Sequence, residues 1–280
     1  MNKTNINPKT MLISVVITSF NWPEALEQCL IALNEQTDTN FEVIVSDDGS
    51  NKETENMINK LKKNLGYTLT FLWQKHIRFH ISKTRNKGIA KAKGDYIIFL
   101  DQDNICNEHF IANHRKHAQK NYFCLHQRIF INKDLTDLFL KKPFSLAKKK
   151  TLWVLKERIK GNLNKYLASI NLPLGKLRYT QKTEWKKTAS CFAIWKKDLL
   201  LVNGFNENYQ DWGYEDSDLL VRLLAKNIFR KSAKYSCFVY HLHHKTSFRS
   251  EEEKNKNLPK LQATLAGNIT PFPGLDQHLS

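Results

Sequence analysis

Long apolar runs are the first thing this sequence lacks. No stretch of its 280 residues reaches the ~18 to 20 consecutive apolar residues that a membrane-spanning helix needs. The N-terminus, MNKTNINPKT, has neither an h-region nor a small-residue cleavage site, and the apolar stretch at 11–20 is too short to supply one. The expectation is an unprocessed, cytoplasmic chain. Cysteine is sparse: the five (Cys29, Cys106, Cys124, Cys191, Cys237) are odd in number and show no C-x-x-C spacing. That argues against a zinc cage or disulfide frame and suits reduced thiols in a core. No internal repeat is present. Acidic residues are in deficit, with 27 Asp and Glu against 44 Lys and Arg, for a formal net charge of +17.

The remainder is globular in character: 41% hydrophobic, with 16 Phe and 6 Trp, and long enough for one large domain or a domain with a subdomain. The positive charge is uneven. Residues 133–187 hold 15 Lys and Arg against 4 Asp and Glu, a surplus of 11 in one fifth of the chain. Such a field attracts nucleic acid, anionic lipid or an acidic substrate, and charge alone does not choose among them.

Along the chain, residues 12–18 (LISVVIT) and 41–46 (FEVIVS) read as buried parallel strands, with a helix at 24–36 between them started by Pro23. A helix is expected at 52–65, a strand near 69–73 and a basic helix at 82–93 closed by Gly94. The stretch GDYIIFLDQDN follows, a strand at 96–100 that ends in Asp101 and Asp103. Residues 107–121 look helical and 122–132 (YFCLHQRIFIN) read as one strand. Apolar positions from Leu152 to Ile170 recur at helical spacing among lysines, which predicts an amphipathic basic helix. Strand character returns at 189–195 (ASCFAIW) and at 235–240, the latter running into His241, Leu242, His243 and His244. Between them, WGYEDSD opens a helix with Leu219, Leu220, Leu223 and Leu224 on its apolar face.

Paired acids at the C-terminal end of a central strand sit where α/β sheets bind ligands, and hard oxygen donors there can hold magnesium or manganese. A polar turn that merely ends the strand is the plain alternative. For Glu215, Asp216 and Asp218 the structural alternative is acids favoured at a helix start; Asp218 is expected to cap the helix or face solvent. Three histidines in four residues, downstream of two acidic motifs, point to a metal ligand, His241 or His244.

With VVITSFNWPEAL, FEVIVSDDGSNKET, TRNKGIAKAKGDYIIFLDQDN and NGFNENYQDWGYEDSDLLVRL in order, the chain resembles a family-2 glycosyltransferase of the GT-A fold. Its last third resembles the region shared with galactosyltransferases and chondroitin-polymerising enzymes. The resemblance implies an α/β fold: a Rossmann-like, nucleotide-binding mixed central sheet flanked by helices, here with a basic helical insertion. It implies an inverting transfer from a UDP-sugar (galactose, N-acetylgalactosamine or N-acetylglucosamine) to a saccharide or glycolipid acceptor of a bacterial surface glycan. It assigns Thr18, Phe20 and Asn21 to the nucleotide, Asp48 to uracil, Arg85 to the base and phosphates, and Asp101 to ribose or metal. Asp103 and His241 would hold manganese or magnesium, Asp216 would be the base, and Glu215 would position a sugar hydroxyl. SFN in place of TYN, Thr84 before Arg85 and Gln102 inside D-x-D depart from the family pattern.

The expected organisation is a disordered leader at 1–10, a nucleotide-sugar half at 11–128, a basic insertion or lid at 129–188, an acceptor and base half at 189–249, and a loosely held extension at 250–280. The basic segment would contact the anionic inner face of the plasma membrane peripherally. A nucleic-acid-binding module would place basic residues among stacking aromatics on a sheet, whereas here they cluster on helices. The intact acids speak against a non-catalytic glycan-binding domain, and a nucleotidyltransferase would lack W-G-x-E-D.

Overall fold

A computed structural model describes residues 7–78, 80–180, 191–245 and 251–279. Four strands form its first half: β1 (Ile13–Ser19), β2 (Phe41–Asp47), β3 (Thr68–Trp73) and β4 (Tyr96–Asp101). They lie parallel in the order β3-β2-β1-β4. Successive side chains of β1 alternate between two hydrophobic layers, with Ile13, Val15 and Ile17 in one and Val16 in the other. The helices α1 (Pro23–Asn34), α2 (Lys52–Leu61) and α3 (Ile81–Lys91) connect them. A Cβ on Gly88 would lie 2.4 Å from Val16, so only glycine lets α3 press this closely on β1. That contact fixes the depth of Arg85, one turn earlier.

The chain continues through β5 (Asn104–Cys106), α4 (Phe110–His117), β6 (Tyr122–Leu125), β7 (Gln127–Phe130), α5 (Lys133–Lys141) and α6 (Thr151–Ile159). It then forms β8 (Tyr179–Thr180), β9 (Phe192–Trp195), α7 (Lys196–Leu201), α8 (Glu215–Ala225), β10 (Phe229–Ser232), β11 (Phe238–His241) and α9 (Glu251–Leu265). The large sheet grows to eight strands, β3-β2-β1-β4-β9-β6-β10-β8, with β9 antiparallel to both its neighbours. A small sheet, β5-β11-β7, stands beside it, and its register sets His241 opposite both Asn104 and Phe130.

Four local expectations change. The single strand at 122–132 is two strands in different sheets, broken at His126, whose buried ring packs edge-on against Phe110 (4.9 Å) and His114 (5.0 Å). The basic helix stops at Ile159, because the chain turns back to bridge Ile131 through Leu163. The tail is packed rather than loose: Leu261 and Leu275 are fully buried, and Thr264 donates to Asp218. Of the leader, residues 1–6 lie outside the described residues, while Pro8 offers its carbonyl to Arg115 at 3.2 Å. Residues 189–190 of the ASCFAIW segment also lie outside the described residues.

Burial also generates a stability prediction. His114 and His126 are enclosed with no hydrogen-bond partner for either ring nitrogen. Burial pushes His114 well below the ordinary histidine range and His126 down to about 3. Their neutral forms are native, so the unfolded chain gains protons first as pH falls below about 6.5, and stability is lost on acidification. At pH 5 the loss from His126 alone is about 2 kcal/mol. Urea unfolding at pH 7.5 and 5.0 measures it, and His126→Leu is expected to remove roughly one proton from the slope of stability against pH.

Candidate active site

One cavity of about 430 Å³ opens at the C-terminal ends of β1 and β4, facing the start of α8. Nine of the ten residues singled out from the sequence line it: Thr18, Phe20, Asp48, Arg85, Asp101, Asp103, Glu215, Asp216 and His241. Asn21 does not. Its backbone is left-handed (φ 44°), and its side chain accepts from the Asn51 amide, so it shapes the loop behind the wall.

The adjacent acids after β2 divide their work. Asp47 is fully buried and accepts from the Ser19 and Ser50 hydroxyls and from the Gly49 and Ser50 amides, which tie β1 to β2. Asp48 faces the cavity, held by Gln74 Nε2 (2.5 Å) and by His76 Nδ1 (3.1 Å). The His76 ring stacks on Phe20 with centroids 4.5 Å apart. Gln102, the middle residue of D-x-D, is not a neutral spacer. Its amide accepts from the Phe20 N–H (3.0 Å) and donates to the Phe20 carbonyl (2.8 Å), which clamps the end of β4 to the end of β1.

Arg85 joins the two acidic motifs. It is 1% exposed; Nη1 donates to Asp216 Oδ1 at 2.6 Å, Nη2 lies 3.6 Å from Asp101 Oδ1, and the guanidinium sits over Phe205 at 5.1 Å. Burial raises Asp216 from its ordinary value; Arg85 pulls it down and Asp101 adds to the rise. Burial and the neighbouring Asp216 push Glu215 up to about 7. Glu215 is therefore poised near neutral pH, and Asp216 is shifted in the direction that makes a carboxylate the better proton acceptor. Asp218 is different: it is fully buried, ion-paired to Arg222 at 2.8 Å, and reached by the Tyr209 and Thr264 hydroxyls. The expectation that it caps a helix or faces solvent is overturned, because the tail covers it.

Asp103, His241 and His244 converge so that their candidate ligand atoms all lie within 4.8 Å of one another. Asp103 Oδ2 is 3.1 Å from His244 Nε2 and 3.5 Å from His241 Nε2. Each imidazole pairs its Nδ1 with a main-chain carbonyl, Leu242 for His241 and Lys245 for His244. As Nδ1–H tautomers, both rings aim Nε2 lone pairs at a carboxylate. Asp103 Oδ1 is buried with no hydrogen-bond partner. Acceptors alone repel one another, so this donor set fits a cation among them. Nitrogen and carboxylate donors together suit a divalent ion of the manganese type. Burial pushes Asp103 up; protonated His244 and His241, with Arg128, would outweigh it and hold the carboxyl below its usual range, the same role a cation seated among them would play.

Sequence reasoning passed over several wall residues. Arg128, on β7, lies over Phe130 at 5.6 Å, and Asp101, Asp103 and Asp216 are among the groups that hold its charge. Trp212 and Tyr214 complete the far wall. Arg128 is a lone cation in an apolar strand and carries no motif; only the small sheet's register shows it.

Comparisons with known proteins bear on the family and the fold. The family model described as glycosyl transferase family 2 matches residues 14–179, and one described as the N-terminal domain of galactosyltransferase matches residues 176–245. The chain is 25% identical to a chondroitin synthase of Pasteurella multocida over 236 residues, covering 79% of this chain and 24% of that protein. Against chondroitin synthase of Escherichia coli the figures are 23% over 249 residues, 82% and 34%. The chain thus spans a quarter to a third of the length of these relatives. Among solved structures, S. aureus TarS 1-349 in complex with UDP-GlcNAc has a TM-score of 0.60 at 17% identity, over 96% of this chain and 70% of that one. Mannosyltransferase PcManGT from Pyrobaculum calidifontis, in complex with GDP-Man and Mn2+, has a TM-score of 0.62 at 14% identity, over 99% and 70%. The fold is the GT-A arrangement, and the chain belongs to glycosyltransferase family 2, with the region shared with galactosyltransferases following in the same chain.

Proposed function

We propose that the protein is a metal-dependent, inverting glycosyltransferase that moves a hexose or N-acetylhexosamine from a UDP-sugar to a saccharide acceptor of a bacterial surface glycan. One observation carries the reading. A convergent acceptor set, Asp103, His241 and His244, shares a cavity with a buried acid pair, Glu215 and Asp216, both raised above their ordinary values. Solved structures of the same fold with UDP-GlcNAc, and with GDP-Man and Mn2+, support the donor class.

In this reading Phe20 offers an aromatic face to the base and Asp48 accepts from its N–H edge, with Thr18 and Asp101 beside the ribose. Manganese or magnesium, held by Asp103, His241 and His244, would supply positive charge for the departing diphosphate. Asp216 takes the proton of the acceptor hydroxyl and Glu215 orients a neighbouring hydroxyl. Arg85 fixes Asp216 and keeps it from being protonated too readily. One base and no covalent nucleophile suit a single displacement with inversion.

No helix among the described residues is long and apolar enough to cross a membrane. Contact with a glycolipid acceptor would instead be peripheral. On α6, Leu152 and Ile159 are 64% and 78% exposed among exposed Lys156, Arg158 and Lys160. An apolar and basic face of this kind suits an anionic bilayer surface.

Released UDP, measured with a panel of UDP-sugars and manganese, is expected for one donor, to vanish with chelator and to be lost in Asp103→Ala. Asp216→Asn should keep UDP affinity and lose roughly 10²- to 10⁴-fold in kcat. Because the base must be ionised and burial raises its pKa, kcat should fall on acidification with a limb above the ordinary aspartate value; a limb at or below that value contradicts the assignment. Co-sedimentation with anionic vesicles at low salt should weaken with added salt and with Lys156→Glu, and not occur with neutral vesicles.

A further inference from the structure

The acid pair hangs on a loop of unusual backbone. Asp211 (φ 64°), Gly213 (φ 118°) and Tyr214 (φ 68°) are all left-handed, a shape that persists only where surrounding structure imposes it. The α9 helix imposes it. Asn257, 1% exposed, donates from Nδ2 to the Gln210 carbonyl (3.0 Å) and the Trp212 carbonyl (3.4 Å), while its Oδ1 accepts from Lys260 Nζ (2.8 Å). Both ends of this amide are thus assigned by their partners. A Cβ on Gly213 would meet the Lys254 backbone at 3.3 Å, so α9 lies directly behind the loop.

The Trp212 carbonyl and the Gly213 N–H belong to one peptide group. Its carbonyl faces Asn257, and its N–H donates to Glu215 Oε2 at 3.2 Å. A rigid planar unit therefore connects α9 to Glu215. We infer that Asn257 is a positioning residue of the acid pair: by fixing the orientation of the 212–213 peptide, it aims the N–H that holds the Glu215 carboxylate in the cavity. The helix in the C-terminal extension is in this sense part of the acceptor side of the site. The inference rests on the transferase reading for its consequence in turnover, though not for the peptide geometry.

Asn257→Asp tests it, since the isosteric carboxylate keeps the volume and removes the donor; Asn257→Ala is the second variant should the first not fold. Thr264→Val is the control, because Thr264 also lies on α9 but bonds Asp218 rather than the loop. Amide hydrogen exchange at Gly213 should be about tenfold faster in the Asn257 variants, the loss of one hydrogen bond's protection, and unchanged in Thr264→Val. In turnover, kcat should drop by on the order of ten- to a hundredfold with UDP affinity within about twofold, since misplacement rather than lost binding is the defect. Unaltered Gly213 exchange, or equal loss of kcat in Asn257→Asp and Thr264→Val, would overturn the inference. A wild-type protein that turns over no sugar nucleotide would sink the transferase reading, while the exchange comparison would still decide the role of Asn257.

Discussion

The buried guanidinium of Arg85 is the interaction on which the site depends. It spans 131 positions of sequence to reach Asp216 and lies within ion-pair distance of Asp101, so it joins the two acidic motifs across the cavity floor. Without it, the like charge by which Asp101 raises Asp216 would lose its largest offset. A buried charge also needs its partner: removal of one member of such a pair typically costs 3–5 kcal/mol, because the other is left stranded. The Phe205 ring beneath Arg85, and the close seat of α3 on β1 at Gly88, hold the guanidinium where both carboxylates can use it.

Around this link the two halves are built differently. The nucleotide side is local: β1, β2 and β4 end together, and Asp47 and Gln102 knit their ends through hydroxyls and main-chain groups. The other side is assembled from remote pieces. The small sheet carries His241 to Asp103 by register, since the Leu242 amide donates to the Asp103 carbonyl at 3.0 Å. The 210–214 loop is held from behind by α9 rather than by its own sequence.

That difference explains what could be read beforehand. Hydrophobic runs and their polar ends place β1, β2 and β4 within a residue or so, and Asp48, Asp101, Asp103, Glu215 and Asp216 fall at element ends where local pattern is informative. Asp218 escapes a local reading because, apart from Arg222 one turn on, the groups that enclose it come from elsewhere: Tyr209 in the preceding loop and Thr264 on a distant helix. The break of 122–132 at His126 was hidden because the whole stretch has strand-like composition; only the allocation of its halves to two sheets separates them. Asn257 and Arg128 sit in segments whose local pattern carries no chemistry, and long-range hydrogen bonds and register give them their places. The tail reads as loose because charged residues dominate its composition, while Leu261 and Leu275 pack in the interior and Asn257 and Thr264 bond inward.

The central claim is that one cavity holds a uridine nucleotide and a divalent ion between the D-x-D acids, the paired histidines and the acid pair. Anomalous diffraction from crystals grown with UDP and manganese tests it most directly. The account predicts a manganese peak among Asp103, His241 and His244, with uracil against Phe20 and its edge on Asp48. Manganese bound elsewhere, or UDP seated away from Phe20 and Asp48, would contradict it.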